Sequence, residues 1–285
     1  MLKIDAHQHF WNPGTLHYPW LTPDLAVLYR PFGPADLAPH LAARGVDGTI
    51  VVQATHDEAE TAWLLELARA APWIAGVVGW VDLASDDLAG KLDRFIARGP
   101  LCGVRHQVHD EPDPHWLLRP EVIRGLQTLA RRGLVYDLLL RPMHLPILPR
   151  LFEAVPGMRW VVDHLAKPEI KSGRVEPWLT GMREAARYPN VSCKISGMIT
   201  EADHTRWTAD DIRPYFEHVL ELFGPSRLMW GSDWPVCLLA GGYEQVHDLA
   251  QDLMARLPQK EQAMIWGATA RTVYQLANAE SVTAR

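Results

Sequence analysis

The sequence predicts an α/β protein of the (β/α)8, or TIM-barrel, class. Three observations predict it. Short Val- and Ile-rich runs of strand length alternate with longer stretches of helical periodicity, and that alternation implies a parallel sheet. Eight such units fit within about 230 residues, the size of a closed eight-stranded barrel. The first strand is followed by His-Gln-His-Phe-Trp, not by the glycine-rich phosphate turn expected of an open doubly wound sheet.

Strands are expected near 3–9, 48–54, 74–82, 101–107, 134–140, 159–164, 190–196 and 227–233. Gly48-Thr-Ile-Val-Val-Gln53 and Arg159-Trp-Val-Val-Asp163 are near-continuous apolar runs, as suits strands buried on both faces. Helices are expected at 57–71, 119–132 and 208–223, where apolar residues recur at helical spacing, and in a closing pair at about 242–256 and 259–277. Gly45, Gly99, Gly133, Gly157 and Gly224 fall at the ends of helical stretches, where helices commonly stop. The Pro- and aromatic-rich segment 12–34 reads as a long ordered loop over one end of the barrel, and residues 1–285 as one domain.

The 285 residues carry a net charge of −6, which argues against a general nucleic-acid surface. No apolar run approaches the length of a membrane span. Cys102, Cys193 and Cys237 are odd in number and far apart. They form neither a disulfide framework nor a metal knuckle, and with an N-terminus lacking an apolar signal core they point to the cytoplasm.

In a barrel enzyme the chemistry sits at the C-terminal ends of the strands. Polar residues recur there in nearly every unit. The first strand ends in His7 and His9, which period-two alternation puts on one face, as a metal clamp or a pair of donors for an anion. The second ends in Gln53 and the fourth in Arg105 and His106; a guanidinium suits a carbonyl or carboxylate oxygen. The sixth ends in Asp163-His164, with His164 expected inside the mouth. The eighth ends in Asp233, a carboxylate that must be paired or used, as general base, metal ligand or helix cap. Lys194, within the seventh strand, asks for a partner. Trp11, Trp20 and Trp234 flank these motifs, and one or two of them are expected to form an apolar wall for a ring substrate. No Gly-x-Ser-x-Gly elbow supports a serine hydrolase.

Taken in order, IDAHQHFWNP at the start, VQA after the second strand, GVRH on the fourth, DHLAKP on the sixth and WGSDWPV on the eighth resemble the amidohydrolase superfamily. The resemblance is to its branch of sugar and dicarboxylate lactonases, of L-fuconolactonase and L-rhamnonolactonase type, and WGATARTVYQL resembles that branch's closing helix. It implies a hydrolase that opens a sugar lactone to the acid. It assigns His7, His9, His164 and Asp233 as the set for one divalent ion, zinc first, in a branch where some members work without one. Asp233 would activate water with His164 and Arg105 assisting. His7, His9, Gln53, His106 and Trp234 would contact substrate. A fourth- or fifth-strand lysine, glutamate or histidine completes a second metal site in many superfamily members. Here the fourth strand offers Arg105 and VYDLLLRP has no histidine, so a two-metal centre is not expected. The alternatives are a hydrolase or decarboxylase of aromatic-pathway carboxylates, which should need more arginines in the mouth, and a non-catalytic sugar-acid-binding barrel.

Overall fold

The structure, a computed structural model, describes residues 1–277. Eight parallel strands pair in strict sequence order. They are β1 (Ile4–Gln8), β2 (Gly48–Val52), β3 (Ile74–Gly79), β4 (Leu101–His106), β5 (Val135–Leu138), β6 (Arg159–Val162), β7 (Val191–Ile195) and β8 (Leu228–Trp230). Helices follow them on the outside: α1 (Pro34–Arg44), α2 (Glu58–Ala70), α3 (Leu88–Arg98), α4 (Pro120–Arg131), α5 (Leu148–Ala154), α6 (Trp178–Ala186), α7 (Ala209–Phe223) and α8 (Tyr243–Met254). The helix α1 falls between the first two strands. Among the described residues no helix is long and apolar enough to cross a membrane.

β8 is only three residues long, so the ring is closed by the segment after it. His9 N–H donates to Trp234 O (2.7 Å) and Asp233 N–H to His7 O (2.8 Å). The buried Asp5 carboxylate adds a stitch, accepting from Ser232 N–H at 2.9 Å and His7 N–H at 3.2 Å.

The barrel interior is layered. Its lower part is apolar: Ile4, Ala6, Ile50, Val52, Val78, Val135, Val161 and Met229 pack together, plugged from below by Ala270 and Tyr274. A second apolar layer lies between strands and helices and holds most of the tryptophans. Ile4 and Ala6 belong to the lower interior, so strict alternation would turn His7 away from it. The β1–β2 register shifts between Asp5 and Gln8, and a bulge of this kind re-aims the side chains beyond it.

Residues 12–33 hold no helix or strand, residue 34 already opening α1, and the segment is pinched at its neck by paired bonds between Trp11 and Phe32 (3.1 and 2.9 Å). The closing stretch differs from the continuous helix expected over 259–277. It is one helical run from Gln259 to Val273 that stops short of 277 and is interrupted by a wide π turn over Met264–Ala268. The widened turn sets Gly267 against the start of the chain, where an added Cβ would lie 2.7 Å from Leu2 O.

Candidate active site

The hydrogen bonds that close the barrel also set the site. They fix the backbone on both sides of His7, His9 and Asp233, so these side chains meet at the seam between β1 and β8. Asp233 has φ 57°, in the left-handed region. His164, Leu165, Ala166 and Lys167 form a left-handed turn, with φ of 52°, 53°, 57° and 53°. Such conformations cost roughly 1–2 kcal/mol per non-glycine residue, and they cluster where function needs a side chain re-aimed. Here the turn brings His164 into the mouth beside Asp163, so both neighbours face inward. Gly197 makes room for it: an added Cβ would lie 2.6 Å from His164 Nδ1.

The ring nitrogens then converge. His7 Nε2 is 3.1 Å from His9 Nε2. Asp233 Oδ1 lies 3.5 Å from His9 Nε2, 3.8 Å from His164 Nε2 and 3.9 Å from His7 Nε2. His9 Nδ1 reaches Val52 O at 2.7 Å, a contact only an N–H can satisfy, so His9 turns a lone pair on Nε2 towards the site. His164 Nδ1 pairs with Ser196 Oγ at 2.8 Å. Burial pushes all three imidazoles below their usual range, which keeps them neutral. Burial pushes the Asp233 carboxyl up, but His164, His9 and Lys167 outweigh it and hold the group below the usual carboxylate range.

Beneath this cluster lies a fully buried charge layer. Lys194 Nζ donates to Asp137 Oδ2 (2.5 Å), forms an ion pair with Asp163 Oδ1 (3.1 Å), and stands 3.2 Å from His7 Nδ1. Tyr274 Oη donates to the other Asp137 oxygen at 2.7 Å. Arg105 Nη1 donates to Asp163 Oδ2 at 3.1 Å and lies 3.2 Å from His7 Nε2; Nη2 donates to Gln53 O. Burial alone would lower the Lys194 pKa, yet the two carboxylates hold it above the usual lysine value.

The donor set suits one cation. His7, His164 and Asp233 each offer a ligand atom within 4.8 Å of the others. Tetrahedral zinc with bonds of about 2.1 Å asks for donors about 3.4 Å apart, a small closure from these positions. If His7 Nδ1–H faces Asp163, the lone pairs of His7 and His9 oppose each other at 3.1 Å, an arrangement a positive charge between them relieves. With the hydrogen on His7 Nε2, donated to His9, and Lys194 donating to His7 Nδ1, every nitrogen of His7 and His9 is satisfied without one.

A cavity of about 130 Å³ opens at Asp233, lined among others by His9, Arg105, His164, Lys167, Trp20 and His109. Of the residues expected to contact substrate, His7 is buried directly behind it. Three others stand away from it. Gln53 is fastened to Arg105, donating from Nε2 to Arg105 O at 3.2 Å. His106 faces the other side of β4 from Arg105, as alternation requires. It stacks on Trp116 (3.9 Å, 12°) and donates to Glu111 Oε1 at 2.7 Å. Trp234 is buried edge-on against Phe10 and Phe32. Sequence reasoning passed over His109. It follows β4 in a short turn, has a buried Nδ1 without a partner, and is pushed down to about 3 by burial and then Lys167. Its signal, one histidine in a Pro- and Asp-rich loop, resembles that of an ordinary surface histidine.

Comparison with known proteins matches residues 4–276 to the amidohydrolase family. An L-fucono-1,5-lactonase of Burkholderia ambifaria is 42% identical over 246 residues, 85% of this chain and 83% of that protein. An L-fucono-1,5-lactonase of Burkholderia multivorans is 40% identical over 288 residues, 96% of each. The crystal structure of an amidohydrolase from Burkholderia multivorans with bound zinc superposes with a TM-score of 0.93 at 38% identity, covering 97% of this chain and all of that one. The chain belongs to the amidohydrolase family, as a hydrolase of its lactonase branch.

Proposed function

We propose that the protein hydrolyses a sugar lactone of the L-fucono-1,5-lactone class to its aldonic acid, within one hydrolase domain spanning the chain. The observation that carries the reading is the convergence of Asp233, His9, His164 and Arg105 on a cavity of about 130 Å³, with His7 directly behind them. Relatives named for this activity at 40–42% identity support it. Three unpaired cysteines suit a reducing cytoplasm.

Asp233, ionised at neutral pH, takes a proton from water as the water oxygen adds to the lactone carbonyl. Arg105 polarises the carbonyl and holds the developing oxyanion; such a donor is commonly worth about 3–4 kcal/mol by deletion. The intermediate collapses with cleavage of the ring C–O bond. Asp233 returns its proton to the departing alkoxide, and the new acid ionises into solvent. His164, braced by Ser196 and Gly197, and His9, fixed by Val52 O, orient the water and the carbonyl. His7, His164 and Asp233, with His9 beside them, would hold one divalent ion, which when bound supplies Lewis acidity at the carbonyl oxygen.

An aromatic dicarboxylate would want free cations in the mouth. The cavity offers two cations: Arg105, which is paired with Asp163 and serves the single carbonyl, and Lys167, which is paired with Glu201 at 2.5 Å, so none is left over for a second carboxylate. The test is acid release from L-fucono-, L-rhamnono-, L-galactono- and D-gluconolactone by chelator-treated protein, with and without zinc. Turnover of one lactone is expected; none under either condition sinks the reading and favours the aromatic-acid hydrolase or a non-catalytic barrel.

A further inference from the structure

Beside the Asp233 cavity lies a second hollow of about 390 Å³, bordered by His17, Thr55, Asp57, Asp110 and Glu111. Trp20 and Gln107 line both. The Ala54–Thr55 peptide follows the same divide, Ala54 facing the inner cavity and Thr55 the outer. The divide is tied down. Trp20 Nε1–H donates to Ala54 O at 2.7 Å, and its ring meets Trp11 edge-on at 5.2 Å. The buried Glu60 carboxylate accepts from both amides of the divide, Ala54 at 2.9 Å and Thr55 at 3.1 Å. Thr55 Oγ1 donates to His17 O at 3.0 Å, fastening the long loop to the same point.

The direction of the divide matters. Asp233 follows β8, and Gln107 follows β4, the strand across an eight-membered ring. A lactone whose carbonyl sits between Asp233 and the buried Arg105 side chain therefore turns its far side outwards, towards Trp20 and towards Gln107, two residues beyond Arg105. In a 1,5-lactone the ring atom opposite the carbonyl is C4. The inner cavity has room for one ring, whereas binding sites for larger ligands run to roughly 300–1,000 Å³.

Resting on the lactonase reading, we propose that Trp20 is the specificity-determining partition. It confines the enzyme to 1,5-lactones bearing nothing larger than a hydroxyl at C4, and shortening it joins the two hollows into a site for 4-O-substituted lactones. The acidic border of the outer hollow disfavours an anionic substituent and leaves room for an uncharged alkyl, aryl or glycosyl group.

The test compares the best monosaccharide lactone with its own 4-O-benzyl ether, so that ring stereochemistry is held fixed. Wild type should turn over the parent and discriminate against the ether by about 100-fold or more in kcat/KM, and Trp20→Ala should raise kcat/KM for the ether at least about tenfold while lowering it for the parent. Trp20→Leu, which keeps apolar packing against Trp11, serves if the alanine variant does not fold, and should shift the ratio the same way. Comparable turnover of ether and parent by wild type overturns the proposal, as does a folded Trp20 variant with an unchanged ratio. Wild type inactive on every unsubstituted lactone fails the lactonase reading instead.

Discussion

Replacing Lys194 by methionine tests the buried charge layer that carries the site. The side chain is fully buried, and methionine keeps its unbranched apolar stem and all but the last atom of its length, so the change removes mainly the charge. Asp163 keeps Arg105 at 3.1 Å, but Asp137 is left with the Tyr274 hydroxyl alone. Breaking a buried pair in this way costs about 3–5 kcal/mol, because the remaining carboxylate is stranded in low dielectric. Asp137→Asn in the same chain removes the stranded charge while leaving an oxygen for Tyr274. The double variant should therefore recover about 1–3 kcal/mol of the loss, the usual scale of coupling between touching groups. Guanidinium unfolding of wild type, both single variants and the double variant at neutral pH closes the cycle. A Lys194→Met cost below about 1 kcal/mol, or a double variant equal to the sum of the singles, would refute the reasoning.

Two further perturbations follow from particular residues. Gly197→Ala puts a methyl 2.6 Å from His164 Nδ1 at φ 62°; it should lower kcat more than it raises KM and cost about 1–3 kcal/mol, and full activity would show that His164 does not depend on this contact. His106 is buried and pushed down to about 4 by that burial, below its unfolded value near 6.5. Its neutral form is therefore the stable one, and its contribution is present above pH 6.5 and lost as pH falls towards 4. The loss is at most about 3 kcal/mol, and His106→Phe should flatten that part of the stability–pH curve; an unchanged slope between pH 6.5 and 4 would contradict it.

The barrel was legible because its strands are near-continuous apolar runs that recur between helical stretches. Polar residues at strand ends led to His7, His9, Arg105, His164 and Asp233, which the fold brings to one place. Other features depend on geometry that residue type does not encode. A bulge in β1 turns His7 inward, and a left-handed turn of four ordinary residues aims His164. Period-two alternation, followed through β4, would have put His106 opposite Arg105. The helices α1, α3 and α5 were signalled only by the glycines at or near their ends, Gly45, Gly99 and Gly157, and the nine-residue α6, with no such stop, escaped notice. The wall at Trp20 depends on where the long loop over 12–33 lands, which no local pattern sets.

The most direct test of the account is the initial rate of acid release from L-fucono-1,5-lactone by wild type and by Asp233→Asn, with folding of both checked by thermal melting. The account predicts rapid release by wild type and a loss of about 10²–10⁴-fold in a variant that melts like its parent. A folded Asp233→Asn enzyme that releases acid at the wild-type rate would contradict it.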